Sequence, residues 1–219
     1  MRQVSWREGH KRFIMRGSNA MCLIIQKPPG RPVTADFLRN AWQDNPDGWG
    51  LFHLNGDRPV HARGMGLEAL LEHNARLPLD REVHLHLRKA TYGGVCATLV
   101  HPHPVRENLL LMHNGSIDHL APRDPSRSDT VELAHAMRDL LAGLSDEQAA
   151  RLLRSQGWAR LIAPLIEGSS IVLLDAWGSV RLGRAWHRID ASRWDASMVG
   201  IEVSNLKHWQ AQGQVAVTD

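Results

Sequence analysis

The order in which hydrophobic periods follow one another constrains this chain more than any other feature. Cys22–Lys27 reads as a buried strand, stopped by Pro28-Pro29-Gly30. Thr34 predicts a helix running through Trp42, with Phe37, Leu38, Ala41 and Trp42 on one face. Gly48–Leu54 and Arg58–Ala62 read as a hairpin across Asn55-Gly56. Leu67–Arg76 suits a short helix. Glu82–Arg88 is a strand with Val83, Leu85 and Leu87 on one face and Glu82, His84, His86 and Arg88 on the other, polar one. Asn108–His113 is a further strand. Helical period then takes over from Asp129, where Leu133, Ala134, Met137, Leu140, Leu141 and Leu144 share a stripe. Ser145-Asp146-Glu147-Gln148 has the form of a capping box opening the next helix. Ser170–Asp175 and Ser179–Arg184 predict a second hairpin, and Met198–Val203 a late strand. A doubly wound parallel sheet would alternate strand and helix throughout, so this order predicts an α+β layered fold.

The chain has 219 residues, enough for one good core. No apolar stretch approaches the roughly 18 residues of a membrane span, so no membrane partner is expected. The net charge of +3 is more than accounted for by Arg2, Arg7, Lys11, Arg12 and Arg16 against Glu8 in the leader. The remainder is slightly acidic and gives no case for nucleic-acid binding. Two cysteines, Cys22 and Cys96, make no disulfide framework, and a reduced, cytoplasmic setting is expected. Cys96, near Gly93-Gly94, reads as structural. The leader, residues 1–21, lacks the continuous apolar centre of a secretory signal. It is expected either to precede a true start at Met21 or to be removed as a propeptide, leaving 22–219 as one domain.

A chain opening at Cys22 would place a thiol beside its own α-amino group. Their reference pKa values, about 8.5 and about 7.7–8.0, are close enough for the amine to take the thiol proton near neutral pH. The plain alternative is a buried small hydrophobe. Arg88 could clamp a carboxylate with its planar fork, or form a surface ion pair. Asn114-Gly115 is a strong hairpin signal, and equally a pair of donors for a developing oxyanion. Asp129 could cap a helix, with Glu132 three residues on, or accept from an ammonium group. His84-Leu85-His86 and His101-Pro102-His103 are both H-x-H pairs, which on a strand can present two imidazoles to a metal. Trp42, Trp49, Trp158, Trp177, Trp186, Trp194 and Trp209 are scattered and read as core or rim.

In this order the motifs resemble a class II glutamine amidotransferase domain, of the N-terminal-nucleophile type. The resemblance rests on Cys22, Asp47-Gly48-Trp49-Gly50, His86-Leu87-Arg88-Lys89-Ala90-Thr91-Tyr92-Gly93, His101-Pro102-His103, His113-Asn114-Gly115-Ser116-Ile117 and Ser128-Asp129. It covers most of residues 22–130. It implies a four-layer αββα sandwich of two facing antiparallel sheets. It further implies Cys22 as nucleophile with its free amine as base, Asn114 and Gly115 as oxyanion hole, Arg88 on the glutamine α-carboxylate and Asp129 on the α-ammonium. Thr91 and His101 would line the glutamine pocket. The chain departs from the family at Lys89, where an aromatic residue is usual, and at Tyr92, where a histidine is usual. The resemblance implies no metal and no cofactor. It implies hydrolysis of glutamine through a γ-glutamyl thioester, with ammonia released or passed to a synthase subunit; 22–219 would be a stand-alone member. Two other readings stand beside it: a non-catalytic glutamine-binding or interaction module, if residues 1–21 stay attached, and a metal-dependent hydrolase using the H-x-H pairs.

Overall fold

The computed structural model describes residues 21–124, 126–190 and 195–206. The leader through Ala20, together with Trp194 and Trp209, lies outside the described residues. Chain order runs β1 (Leu23–Lys27), α1 (Ala35–Asp44), β2 (Trp49–Asn55), β3 (Arg58–Gly64), α2 (Leu67–Ala75), β4 (Val83–Leu87), β5 (His103–Arg106) and β6 (Leu109–Asn114). It continues α3 (Asp129–Leu140), α4 (Asp146–Leu153), α5 (Gln156–Ile162), β7 (Ser170–Asp175), β8 (Gly178–Gly183), β9 (His187–Arg188) and β10 (Glu202–Val203). Among the described residues these strands form two antiparallel sheets, ordered β3-β2-β4-β1-β10-β9 and β5-β6-β7-β8.

Three apolar clusters stack the layers. Leu23, Ile25, Leu85, Leu87, Trp49 and Leu51 point outward from the first sheet onto Phe37, Leu38 and Ala41 of α1 and Leu70 of α2. Leu109, Leu111, Ile171 and Leu173 point outward from the second sheet onto α3, α4 and α5. The inner faces meet through Ile24 and Phe52 on one side and Leu110, Met112, Val172 and Leu174 on the other. The result is the expected α+β class and an αββα sandwich.

Local chemistry explains most element ends. The Thr34 hydroxyl accepts from the Phe37 N–H and starts α1. Ser145 and Gln148 complete the capping box of α4. The first hairpin turns one residue later than its Asn-Gly signal suggests: Asn55 pairs with Arg58, and Gly56, at φ +64°, takes the first central position. A positive φ there belongs to the type II′ turn that suits strand twist.

Several expectations shift. Asn114-Gly115 closes no hairpin: β6 ends there, and its next partner is β7, with Asn114 opposite Ser170. The cap of α3 is Ser128, which accepts from the Val131 N–H, and Asp129 is the first helical residue. Leu140 leaves the α3 stripe and is 52% exposed, because it sits about 100° round the helix from Leu141, which is buried. The late strand shrinks to Glu202–Val203, preceded by a short 3₁₀ turn at Ala196–Met198. Neither β5 nor β9 nor α5 carries enough residues to show a period. Trp49 and Trp158 are buried and Trp42 and Trp186 pack at core edges, whereas Trp177 is exposed.

The polar face of β4 is not turned to water. All five residues of the strand are buried, and His84 and His86 enter the layer between the sheets. Gly50 lies on the same inner face, opposite His86, and the backbone of His101 crosses directly over it. A Cβ at position 50 would collide with the His101 carbonyl oxygen. Gly50→Ala is therefore expected to destabilise the fold by about 3 kcal/mol, through enforced backbone displacement. Gly94→Ala, where an added Cβ meets nothing, is the control and should change the urea midpoint little. Equal midpoints for the two variants would contradict this account of the crossing.

Candidate active site

The site forms where the starts and ends of four strands meet. Leu23 pairs with Leu87, so one residue further along Cys22 stands opposite Arg88. Strand alternation puts both on the inner face, with Ile24 and His86. The Cys22 Sγ lies 3.3 Å from the Lys89 carbonyl oxygen and accepts from the Lys89 N–H at 3.3 Å.

The loop after β4 is held from below by the Asp47-Gly48 segment. Arg88 N–H donates to the Gly48 carbonyl at 2.8 Å, Asp47 N–H to the Arg88 carbonyl at 3.1 Å, and Ala90 N–H to the Asp47 carboxylate at 2.8 Å. The Arg88 guanidinium then gathers the loop above itself, donating to the carbonyls of Gly94 at 3.0 Å and Tyr92 at 3.2 Å. Gly93, at φ +73°, makes the turn between them. Tyr92 donates from its phenol to Asp118 at 2.9 Å, tying this loop to the segment after β6.

Asp129 sits in the first turn of α3, where a carboxylate is favoured by the helix dipole. Its Oδ2 accepts from the Ile117 N–H and its Oδ1 from the Thr130 N–H, both at 2.8 Å. His113 fixes the same turn to the second sheet, with Nδ1 2.9 Å from Thr130 Oγ1 and Nε2 3.0 Å from Ser169 Oγ. Gly115, at φ +141°, presses against Ser169 so closely that no side chain would fit.

Cys22, Arg88, Thr91, His101, Gly115 and Asp129 all line one recess of about 270 Å³, part of it open solvent, with Lys89, Ala90, Tyr92, His113, Ser128 and Thr130. Six of the seven residues singled out in the sequence thus converge on it. Asn114 is the exception. It is fully buried behind the recess, and its side-chain amide donates to Ser204 Oγ at 2.8 Å. Asp47, Ser204 and Asn205 were not singled out from the sequence. Asp47 was visible there only as part of a motif, and the other two carry no spacing signal at all.

Burial pushes the Cys22 thiol up to about 11, and the Asp129 charge adds to the rise; the Lys89 hydrogen bond and the Arg88 charge oppose it without prevailing. With Met21 attached, only about one thiol in 10⁴ is then ionised at neutral pH. Met21 itself is placed, with its sulfur 3.7 Å from the Arg184 guanidinium.

Beneath the recess lies a layer of neutral imidazoles. His86 stacks on His101 with ring centroids 3.9 Å apart, His101 meets His103 at 4.8 Å, and His86 Nε2 donates to the His113 carbonyl at 3.1 Å. Burial lowers His86 to about 3 and His103 to about 4, with nearby Arg88 and, for His103, Arg63 acting in the same direction. His84 falls to about 4 by burial, only partly opposed by Glu82. These rings stay neutral in the fold but take up protons when unfolded below pH 6.5, so unfolding binds protons in acid. Their stabilising contribution is complete above pH 6.5 and is lost as pH falls towards 4. The urea midpoint should fall across that window, and His103→Gln should flatten the slope; an unchanged slope in that variant would remove His103 from the account.

His84 stands apart from the other three H-x-H imidazoles. His84 faces Phe52 and Trp186, at centroid distances of 5.3 and 6.5 Å, while His86 faces His101. Among the described residues no group of three or more His, Cys, Asp or Glu side chains is placed to hold a metal ion. Nor is any helix among them long and apolar enough to cross a membrane.

No family model and no curated protein matches the sequence. Among solved structures the chain is similar to glutamine phosphoribosylpyrophosphate amidotransferase from B. subtilis complexed with ADP and GMP, at 16% identity and a TM-score of 0.42, over 71% of this chain and 35% of that one. It is similar to a glutamine aminotransferase class-II domain protein from Silicibacter pomeroyi, at 16% identity and 0.40, over 83% of this chain and 87% of that one. A third, described as the allosteric regulatory enzyme of purine biosynthesis, gives 18% and 0.39 over 71% and 35%. The chain thus spans about a third of the length of the first and third of these.

Proposed function

We propose that this chain, when it begins at Cys22, is a class II glutamine amidotransferase domain that hydrolyses the side-chain amide of glutamine. The observation that carries the reading is the convergence of a cysteine, an arginine, an aspartate and a glycine turn, distant in sequence, on one recess. Two donors of Arg88 are committed to carbonyls, and the others are left for a ligand carboxylate. Asp129 Oδ1 accepts from both the N–H and the hydroxyl of Thr130, whereas Oδ2 accepts from the Ile117 N–H and keeps a second lone pair for an ammonium group. A ligand held at both ends would present its side-chain amide to the thiol.

In the reaction, the Cys22 thiol proton passes to the α-amine as Sγ bonds to the amide carbon. The resulting oxyanion is met by the Gly115 N–H, in a turn that Asn114 holds from behind the recess through Ser204. The amine then delivers a proton to the departing nitrogen, the C–N bond breaks, and ammonia leaves. Water hydrolyses the thioester to glutamate and restores the thiol. Ammonia is released, or taken by a synthase subunit. Free Cys22 and Cys96 suit a reducing, cytoplasmic setting.

The test is glutamate release by a chain beginning at Cys22. Glutamine should be hydrolysed, and the same amide lacking either the α-carboxylate or the α-amine should not. Equal turnover of all three would contradict the clamp. A second reading is supported by the peptide bond from Met21, which takes up the Cys22 amine: a chain that keeps Met21 is a glutamine-binding module without turnover.

A further inference from the structure

The segment after β10 touches both halves of the site without lining it. Asn205 Nδ2 donates to the Cys22 carbonyl at 2.7 Å. Ser204 N–H donates to the Ile24 carbonyl at 2.9 Å, and the Ser204 hydroxyl oxygen accepts twice: from the Ile24 N–H at 2.9 Å and from Asn114 Nδ2 at 2.8 Å. One oxygen thus joins β1, the strand that follows the cysteine in the first sheet, to the end of β6, where Asn114 leads into Gly115, in the second. Ser204 is 1% exposed and Asn205 5%. An oxygen so buried keeps both donors satisfied and admits little movement between them.

We propose that Ser204 and Asn205 are positioning residues for the reaction: Ser204 sets the Asn114-Gly115 turn against Cys22, and Asn205 orients the Cys22 backbone from which thiol and amine both project. The proposal rests on the glutamine-hydrolysis reading. Neither residue is among those lining the recess with Arg88 and Asp129. Their loss should therefore disturb the chemical step and leave ligand binding alone.

The experiment uses chains beginning at Cys22 that carry Ser204→Ala, Ser204→Thr or Asn205→Ala. Ser204→Ala and Asn205→Ala are expected to lower kcat by about 10- to 100-fold, the scale of a misplacement near 1 Å, with KM within threefold. Ser204→Thr, which keeps the hydroxyl, should recover kcat to within about threefold of the parent, since the shared acceptor returns. A kcat within twofold of the parent in both alanine variants overturns the proposal. So does a loss of kcat that follows the thermal midpoint and is not relieved by threonine, which would make the segment merely structural. If Ser204→Ala does not fold, Asn205→Ala decides alone. A parent chain that leaves glutamine intact defeats the functional reading instead. Alkylation of Cys22 by iodoacetamide then decides the positioning claim: Asn205→Ala should slow it at least fivefold, and an unchanged rate overturns it.

Discussion

Cys22→Ala, in a chain that begins at residue 22, is expected to lower glutamine hydrolysis by roughly 10⁴-fold or more, since no other group in the recess can form the thioester. Of the two cysteines, Cys96 does not line the recess. The parent chain should lose a comparable share of activity when a single residue, Met21, is restored ahead of it. Both changes strike the same proton transfer. Alanine removes the sulfur, whereas Met21 converts the neighbouring amine into an amide that cannot accept a proton. Burial then holds the thiol at about 11, far from a reactive thiolate. Glutamate release measured on the three proteins at one enzyme concentration checks this. Activity in the Met21-extended chain equal to that of the parent would show that the amine is not the base.

Arg88→Lys should raise KM for glutamine by about 100-fold while leaving kcat for saturating substrate far less affected. The charge survives in this variant, but the fork does not. Arg88 holds the carbonyls of Gly94 and Tyr92 with two nitrogens and is 3% exposed. A lysine ammonium is a single point that cannot serve both carbonyls and a carboxylate together. The loop carrying Thr91 and Tyr92 loses its anchor, and the ligand loses its bidentate clamp. Steady-state kinetics separates the two parameters. An unchanged KM would place the substrate carboxylate elsewhere.

Much of the fold could be read in advance, and the residues show why. Val83, Leu85 and Leu87 alternate with His84 and His86 because the strand has two distinct faces, Leu23-Ile24-Ile25 is apolar on both because both faces are buried, and α1 announces itself through Thr34 and the Phe37, Leu38 and Ala41 stripe. Local periods say which residues share a face but not what covers it. His84 and His86 therefore read only as part of a polar face, with no sign that a second sheet closes over them. Asp129 looked like a cap because Ser128, one residue earlier, offers the same chemistry. Most of the site was visible as motifs, since Arg88, Asn114-Gly115 and Asp129 each lie in short runs of unusual composition. Ser204 and Asn205 were not. Their contacts reach 180 and 183 residues back along the chain, to Ile24 and Cys22, and no local spacing encodes a pairing of that range. Gly50 was likewise an unexplained letter of a motif until the backbone of His101 was seen to cross it.

The central claim is that the sulfur of residue 22 is the nucleophile of a glutamine-binding recess. Mass spectrometry of a chain beginning at Cys22, after exposure to a glutamine-like diazoketone, tests it most directly. The account predicts a single adduct on Cys22, suppressed by excess glutamine. An adduct on any other residue, or no adduct at all, would contradict it.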